Sequence, residues 1–370
     1  MPPSADDLAR DRERLAWARS ALNDPDVELM RASVDAGFRS YWRTSLPMHS
    51  DSMPSDSVHS DSMPSDNVHS DSMHSDNRRT GSTIVMDSPP DKEDARPWLH
   101  IRELLDSAGV RVPHVLAADT RLGFVLLEDL GVDTYLQAID ADNADRLFDD
   151  AMTQLLKLQA ITPPAGFPAY DDALLTRELH LFDEWFVGRH LGIALDRNEM
   201  HSLDLVYRHL IDAALAQSQV LVHRDFMPRN LMPAPDGPAV LDFQDAVKGP
   251  IAYDALSLFK DAFLSWPQVR VDGWLDRYHA RALQAGLPVP ALAQFRRDAD
   301  WIGVQRHLKV IGIFARLRHR DGKPKYLQDL PRFFDYLDGV LPKYPELRPL
   351  QALIDRRIKP VMAMLTEVHT

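Results

Sequence analysis

Between Asp6 and Ala21 the apolar residues Leu8, Leu15 and Ala18, with Leu22 just beyond, recur at near-helical intervals among many charges, which predicts an amphipathic helix. Two short extended runs follow, Val27 to Ala32 and Phe38 to Thr44. They are joined by Ser33-Val34-Asp35-Ala36-Gly37, which has the composition of a β-hairpin turn. The β-branched run Ser82-Thr83-Ile84-Val85-Met86 predicts a third strand, and Pro89-Pro90 leads into a helix expected over Lys92 to Ser107, ending before Gly109. Val112 to Ala118 and Gly123 to Leu127 complete a set of about five strands and one internal helix before Asp129-Leu130-Gly131. Beyond that point strands nearly vanish. The long apolar periodicities Arg146 to Gln159, Leu174 to Leu191 and Glu199 to Ala216 predict helices. The pattern is α+β, with a small β-rich lobe over residues 1–128 followed by a large helical lobe over 129–370.

One tract breaks this rhythm. H-S-D-S-M-P-S-D-S-V recurs with small changes every ten residues from His49 to Asn77, and Ser, Asp and Pro dominate it. It has too little apolar surface to offset the entropy of ordering, so the 47–80 stretch is expected to be a disordered insertion. His49, His59, His69 and His74 alternate there with aspartates, but nothing in their spacing fixes a coordination geometry. The formal charge of −13 argues against general binding to nucleic acid or an anionic membrane, since both partners are polyanions. Part of that charge is local, because six aspartates lie in the repeat tract without a single Lys or Arg. The chain has no cysteine, which excludes disulfides, thiolate zinc sites and a cysteine nucleophile and suits a reducing compartment. Residues 1–7 lack the basic and apolar stretches of a signal peptide, and the expected location is cytoplasmic.

The chemistry concentrates in Val220-Leu221-Val222-His223-Arg224-Asp225-Phe226-Met227-Pro228-Arg229-Asn230-Leu231-Met232. A short apolar strand delivers a polar loop with H-R-D and an Asn five positions after the Asp. That spacing matches the kinase catalytic loop, in which the Asp receives the proton of the attacking hydroxyl and the Asn binds a metal ion. A turn at Pro233-Ala234-Pro235-Asp236-Gly237 and a strand at Ala239-Val240-Leu241 then lead to Asp242-Phe243-Gln244, where kinases carry a metal-binding D-F-G. Phosphoryl transfer asks for little covalent help from protein. It needs Mg²⁺ bridging the phosphates of ATP and an acceptor hydroxyl held in line. Asp225 is therefore the candidate base, with His223 and Arg224 framing it, and Asn230 with Asp242 the candidate magnesium ligands.

With Gly249-Pro250-Ile251-Ala252-Tyr253-Asp254-Ala255-Leu256 following shortly after, the chain resembles the aminoglycoside phosphotransferase family of kinase-like enzymes. That resemblance implies a two-lobed protein-kinase-like fold, ATP as cofactor, and an Asp254 that braces the catalytic loop rather than touching substrate. A narrower resemblance is to bacterial anomeric kinases of N-acetylmuramate and N-acetylglucosamine. It is carried by Val85 to Pro90 with Glu93-Asp94, by the His223-to-Asn230 loop, by Asp242 to Ala246, and by Gln305 to Phe314. It implies transfer of the γ-phosphate of ATP to a sugar C1 hydroxyl in cell-wall recycling. Kinase-like folds bind adenine at the hinge, here Glu128, Asp129 and Leu130. Gly37, Phe38 and Arg39 are candidates for phosphate contact through the first hairpin. Asp261, Trp266, Arg306 and Lys309 are candidates for contact with an amino-sugar substrate, although Arg306 and Lys309 also fit as the solvated flank of an apolar helix stripe.

The sequence departs from the kinase pattern in two places. The third strand ends Ile84-Val85-Met86 without the phosphate-binding lysine, for which Arg39, Arg43, Lys92 and Arg96 are candidate substitutes, and no G-x-G-x-x-G loop is present. Two other readings therefore stand beside the sugar kinase: a phosphotransferase for aminoglycosides or other alcohols, and a non-catalytic kinase-like nucleotide-binding module.

Overall fold

The computed structural model describes residues 5–34, 38–45 and 81–367; the ten-residue repeats and Gly37 lie outside the described residues. The chain forms two compact units, one of residues 1–96 and 113–129, the other of 97–112 and 130–370. The class is α+β, as the hydrophobic pattern predicts.

In the first unit, helix α1 (Ala5–Leu22) precedes strands β1 (Glu28–Val34), β2 (Ser40–Ser45) and β3 (Thr83–Asp87). Helix α2 (Ala95–Ser107), which belongs to the second unit from Pro97 on, intervenes in the chain before β4 (Val115–Asp119) and β5 (Phe124–Glu128). The five strands make one antiparallel sheet in the order β1-β2-β3-β5-β4. Ala18 of α1 packs with Val85 and Leu126 in a core flanked by Trp17, Trp42 and Leu29. Polar anchors fix the helix on the sheet. Arg10 and Arg14 both reach the buried carboxylate of Asp87 at 2.7 Å, and their guanidinium groups lie over the rings of Phe124 and Trp42. Gly123 must be glycine, because φ is +74° and a Cβ would fall 1.9 Å from the Ser88 carbonyl oxygen. Helix α2 starts at Ala95 rather than Lys92. The Lys92 and Glu93 amides close a turn on the Pro89 carbonyl, and Asp94 then caps the Arg96 amide.

The second unit contains α3 (Tyr135–Ala138), α4 (Ala144–Gln159), α5 (Asp172–Leu181), α6 (Arg197–Ala216) and two short antiparallel pairs. Strand β6 (Gln219–Val222) pairs with β9 (Val247–Pro250), and β7 (Leu231–Met232) pairs with β8 (Ala239–Val240). Helices α7 (Ala252–Phe259), α8 (Gln268–Gln284), α9 (Leu292–Asp321) and α10 (Leu330–Val340) follow. The expected helix over Leu174 to Leu191 is regular only to Leu181, after which Phe182–His190 widens into a π-helix. At that junction α9 crosses so closely that a Cβ on Gly312 would lie 2.3 Å from the Leu181 carbonyl carbon. Gly312→Ala is therefore expected to force the two backbones apart and cost about 1–3 kcal/mol. A thermal melt would show the lowered midpoint; an unshifted melt would mean that the crossing relaxes freely. Among the described residues no helix is long and apolar enough to cross a membrane.

Candidate active site

Strand β6 carries the chain into His223-Arg224-Asp225, and the local geometry is built from unusual backbone. Among the described residues three other than glycine have positive φ, and two of them are Arg224 at 75° and Asp242 at 61°. Left-handed backbone at such residues is strained and is retained where surroundings over-determine it. Both sit in the two loops that the sequence singles out.

Hydrogen bonds supply that over-determination. Asp254, fully buried at the start of α7, accepts from the backbone N–H groups of His223 at 2.7 Å and Arg224 at 3.0 Å. His223 is also fully buried. Its Nδ1 accepts from the Asp225 amide at 3.2 Å, so the ring proton sits on Nε2 and is donated to the Leu241 carbonyl at 2.9 Å. The Asn230 side-chain amide donates to the Asp225 carbonyl at 2.9 Å, and the Leu241 amide donates to the Asn230 carbonyl at 2.9 Å. Asp225, Asn230 and Asp242 are thus joined through one hairpin, with Leu231 opposite Val240 and the half-buried Asp242 carboxylate accepting from Gln244 at 2.8 Å.

Asp254 behaves as a brace with a measurable signature. Burial raises its carboxyl to about 6, while His223 and the two amide donors pull the other way. A carboxyl raised in the folded state binds its proton more tightly there than in the unfolded chain. Its contribution to stability is therefore greatest below its ordinary value of 3.8 and declines as pH rises through about 6. Asp254→Asn removes that dependence. The unfolding free energy of the variant relative to the parent should move in the variant's favour by up to about 3 kcal/mol between acid and neutral pH. Urea titrations at several pH values measure this, and parallel pH profiles would contradict it.

Beneath the loop lies an ionic cluster that sequence reasoning missed. Glu178 of α5 pairs with Arg224 at 2.5 Å and with Lys309 of α9 at 3.0 Å, accepts from the Tyr170 hydroxyl, and is 5% exposed. Lys309 also donates to the Tyr253 hydroxyl at 3.2 Å. Burial pushes the Glu178 carboxyl up, but Lys309 and Arg224 outweigh it and hold the group below its ordinary value. One sequence signal was available. Leu175, Glu178, Leu179 and Phe182 occupy the i, i+3, i+4, i+7 positions of a core-facing stripe, so a carboxylate there requires a buried countercharge.

The proposed substrate contacts fare differently. Lys309 and Arg306 form no solvated rim, because α9 is buried nearly all round from Trp301 to Ala315. Lys309 is committed to Glu178, and Arg306, 1% exposed, donates to the Lys260 carbonyl at 3.4 Å. Asp261, fully buried, accepts from the amides of Phe263 and Leu264. Trp266 stands edge-on to Phe148 and Trp274 in an aromatic cluster. All four side chains are enclosed by neighbouring elements or engaged with them in this structure. In the first unit, Phe38 is exposed, Arg39 pairs with Glu93 at 3.4 Å, Glu128 accepts from the His114 amide, and Asp129 holds Arg43 and Ser82. Leu130 is half-buried and begins the second unit's long segment. Of the candidate substitutes for the third-strand lysine, Arg39, Arg43 and Arg96 are all engaged with carboxylates, Arg96 with Asp94, while Lys92 is exposed.

The chain as a whole is similar to known proteins. The profile described as "Phosphotransferase enzyme family" matches residues 64–297. An N-acetylmuramate/N-acetylglucosamine kinase of Pseudomonas putida is 49% identical over 349 residues, covering 91% of this chain and 94% of that protein. A kinase of the same description from Pseudomonas aeruginosa is 43% identical, covering 94% and 97%. Among solved structures, a Plasmodium vivax ethanolamine kinase matches with a TM-score of 0.56 at 12% identity, covering 93% of this chain and 92% of its own. An ADP-bound aminoglycoside phosphotransferase matches with a TM-score of 0.54 at 14% identity, covering 88% and 97%.

Proposed function

Because this chain belongs to the phosphotransferase enzyme family, we propose that it is an ATP-dependent kinase that phosphorylates the anomeric C1 hydroxyl of N-acetylmuramate and N-acetylglucosamine, as a step in cell-wall recycling. The observation that carries this reading is the hairpin that ties Asn230 by hydrogen bonds to Asp225 and to Leu241, the residue before Asp242, with left-handed backbone at Arg224 and Asp242. In it Asp225 orients the sugar hydroxyl and accepts its proton as the oxygen attacks the γ-phosphate.

The donor chemistry fits magnesium. The Asn230 amide nitrogen is used inside the loop, which turns its carbonyl oxygen to the role of ligand, and Asp242 supplies a carboxylate. Two protein oxygens suffice, because Mg²⁺ keeps waters and shares the phosphates of its nucleotide; no cage of three or more ligating side chains is needed, and none occurs among the described residues. Bound there, the ion would neutralise charge on the β- and γ-phosphates. Asp254 and His223 fix the loop's backbone, and Glu178 fixes Arg224 beside the base. An ATP-consuming enzyme without cysteine suits a cytoplasmic setting.

ATP consumption with Mg²⁺ tests the proposal, with N-acetylmuramate, N-acetylglucosamine and kanamycin offered in parallel and the product examined by NMR. A phosphate on the anomeric carbon is the expected result. Turnover of kanamycin alone would transfer the chain to antibiotic phosphorylation, and silence with all three would favour another acceptor or a nucleotide-binding module.

A further inference from the structure

A cavity of about 420 Å³ in the second unit has no part in the catalytic reading so far; its lining includes Arg229, Phe263, Lys325, Tyr326 and Asp329. The volume is within the usual range of small-molecule sites. Arg229 ties the cavity to the chemistry, because it lies in the catalytic loop, immediately before Asn230 and four residues after Asp225. A molecule touching Arg229 is therefore in contact with the loop that holds the base.

The charges in this cavity differ from those of the ionic cluster beneath the loop. Arg224 and Lys309 share Glu178, but among the described residues neither Arg229 nor Lys325 makes an ion pair. Both are exposed and rest on aromatic faces, the Arg229 guanidinium 4.9 Å from the Phe263 ring centre and the Lys325 ammonium 5.3 Å from that of Tyr326. The carboxylate in the lining, Asp329, is opposed by Arg332 at 3.6 Å. The cavity thus presents two uncompensated cations beside two ring faces. A polycationic aminoglycoside would be repelled there. A pyranose bearing a carboxylate matches it on both counts, with its apolar face on an aromatic ring and its anion on a guanidinium fork.

We infer that this cavity seats the carboxylate-bearing arm of the acceptor, with Arg229 forking the carboxylate and Lys325 supplying the second charge, and so selects the lactyl ether of N-acetylmuramate. The inference rests on the sugar-kinase reading for the identity of the acceptor, and its test reads binding rather than turnover.

Calorimetric titration of the full chain with N-acetylmuramate and with its neutral methyl ester isolates the carboxylate. The acid should bind about 10–100-fold more tightly, the range expected of charge-assisted hydrogen bonds. In Arg229→Gln and in Lys325→Met the preference should shrink toward about threefold or less, as coupling requires when a direct contact is removed. Lys325 lies outside the catalytic loop, so its variant remains informative if substitution of Arg229 disturbs folding. Equal binding of acid and ester by the parent, or a preference that survives both substitutions, would overturn the inference. A chain that prefers the acid but phosphorylates neither sugar would overturn the kinase reading and leave the cavity's assignment standing.

Discussion

Asp225→Ala is expected to lower turnover by about 10²–10⁴-fold, the usual contribution of a positioned general base, while ATP affinity stays nearly unchanged. The separation follows from where the group acts. Asp225 faces the acceptor hydroxyl in the proposed mechanism, whereas the nucleotide is held through magnesium at Asn230 and Asp242. The backbone of residue 225 is fixed independently of its side chain, since its amide donates to His223 and its carbonyl accepts from Asn230. The variant should therefore fold, and Asp225→Asn, which keeps the shape and removes the basicity, should behave alike. Steady-state kinetics paired with a nucleotide-binding titration decides the matter: retained turnover would remove Asp225 from the mechanism, and lost ATP binding would move it to the metal site.

The second large effect is expected at Glu178. Glu178→Gln preserves volume but leaves Lys309 and Arg224 without their carboxylate, at a cost of about 3–5 kcal/mol for a broken buried pair. Lys309 can limit that cost by shedding its proton. Without Glu178, burial and the neighbouring Arg224 act against the ammonium with Tyr253 and Asp225 in support, and its folded pKa is expected to fall below the unfolded value. The folded variant then binds fewer protons than the unfolded chain, so its stability should rise with pH, and Glu178→Gln with Lys309→Met should recover part of the loss. Urea midpoints over a range of pH measure both effects. A midpoint near the parent's, or no gain from the second substitution, would show that the cluster is not coupled in this way.

The strands and the catalytic hairpin were legible in the sequence because both depend on short-range signals. Alternating apolar positions marked the sheet, and the spacing from Asp225 to Asn230 to Asp242 marked a loop, turn and strand whose geometry is set within about twenty residues. The role of Asp254 was legible only through family resemblance, and the structure gives it two backbone amides to hold. What the sequence obscured depends on long-range packing. Nothing local distinguishes a charged residue on the wet flank of α9 from one enclosed on every side, so Arg306 and Lys309 read as a rim although α5 and its neighbours enclose them. Trp266 was a candidate for substrate contact from its sequence, and the structure sets it in a cluster with Phe148 and Trp274, residues more than a hundred positions apart in the chain. Arg229 and Lys325 lie in two short 3₁₀ turns, where no periodicity marks them.

The partner of Arg224 also bears on regulation. In protein kinases an activation loop is often ordered by a phosphate that arrives after synthesis and pairs with arginine, so that the switch is a covalent modification. In this chain Arg224, beside the proposed base, already has its anion, a buried carboxylate carried on α5. The arrangement is completed by folding, and no second enzyme is needed to add it or remove it.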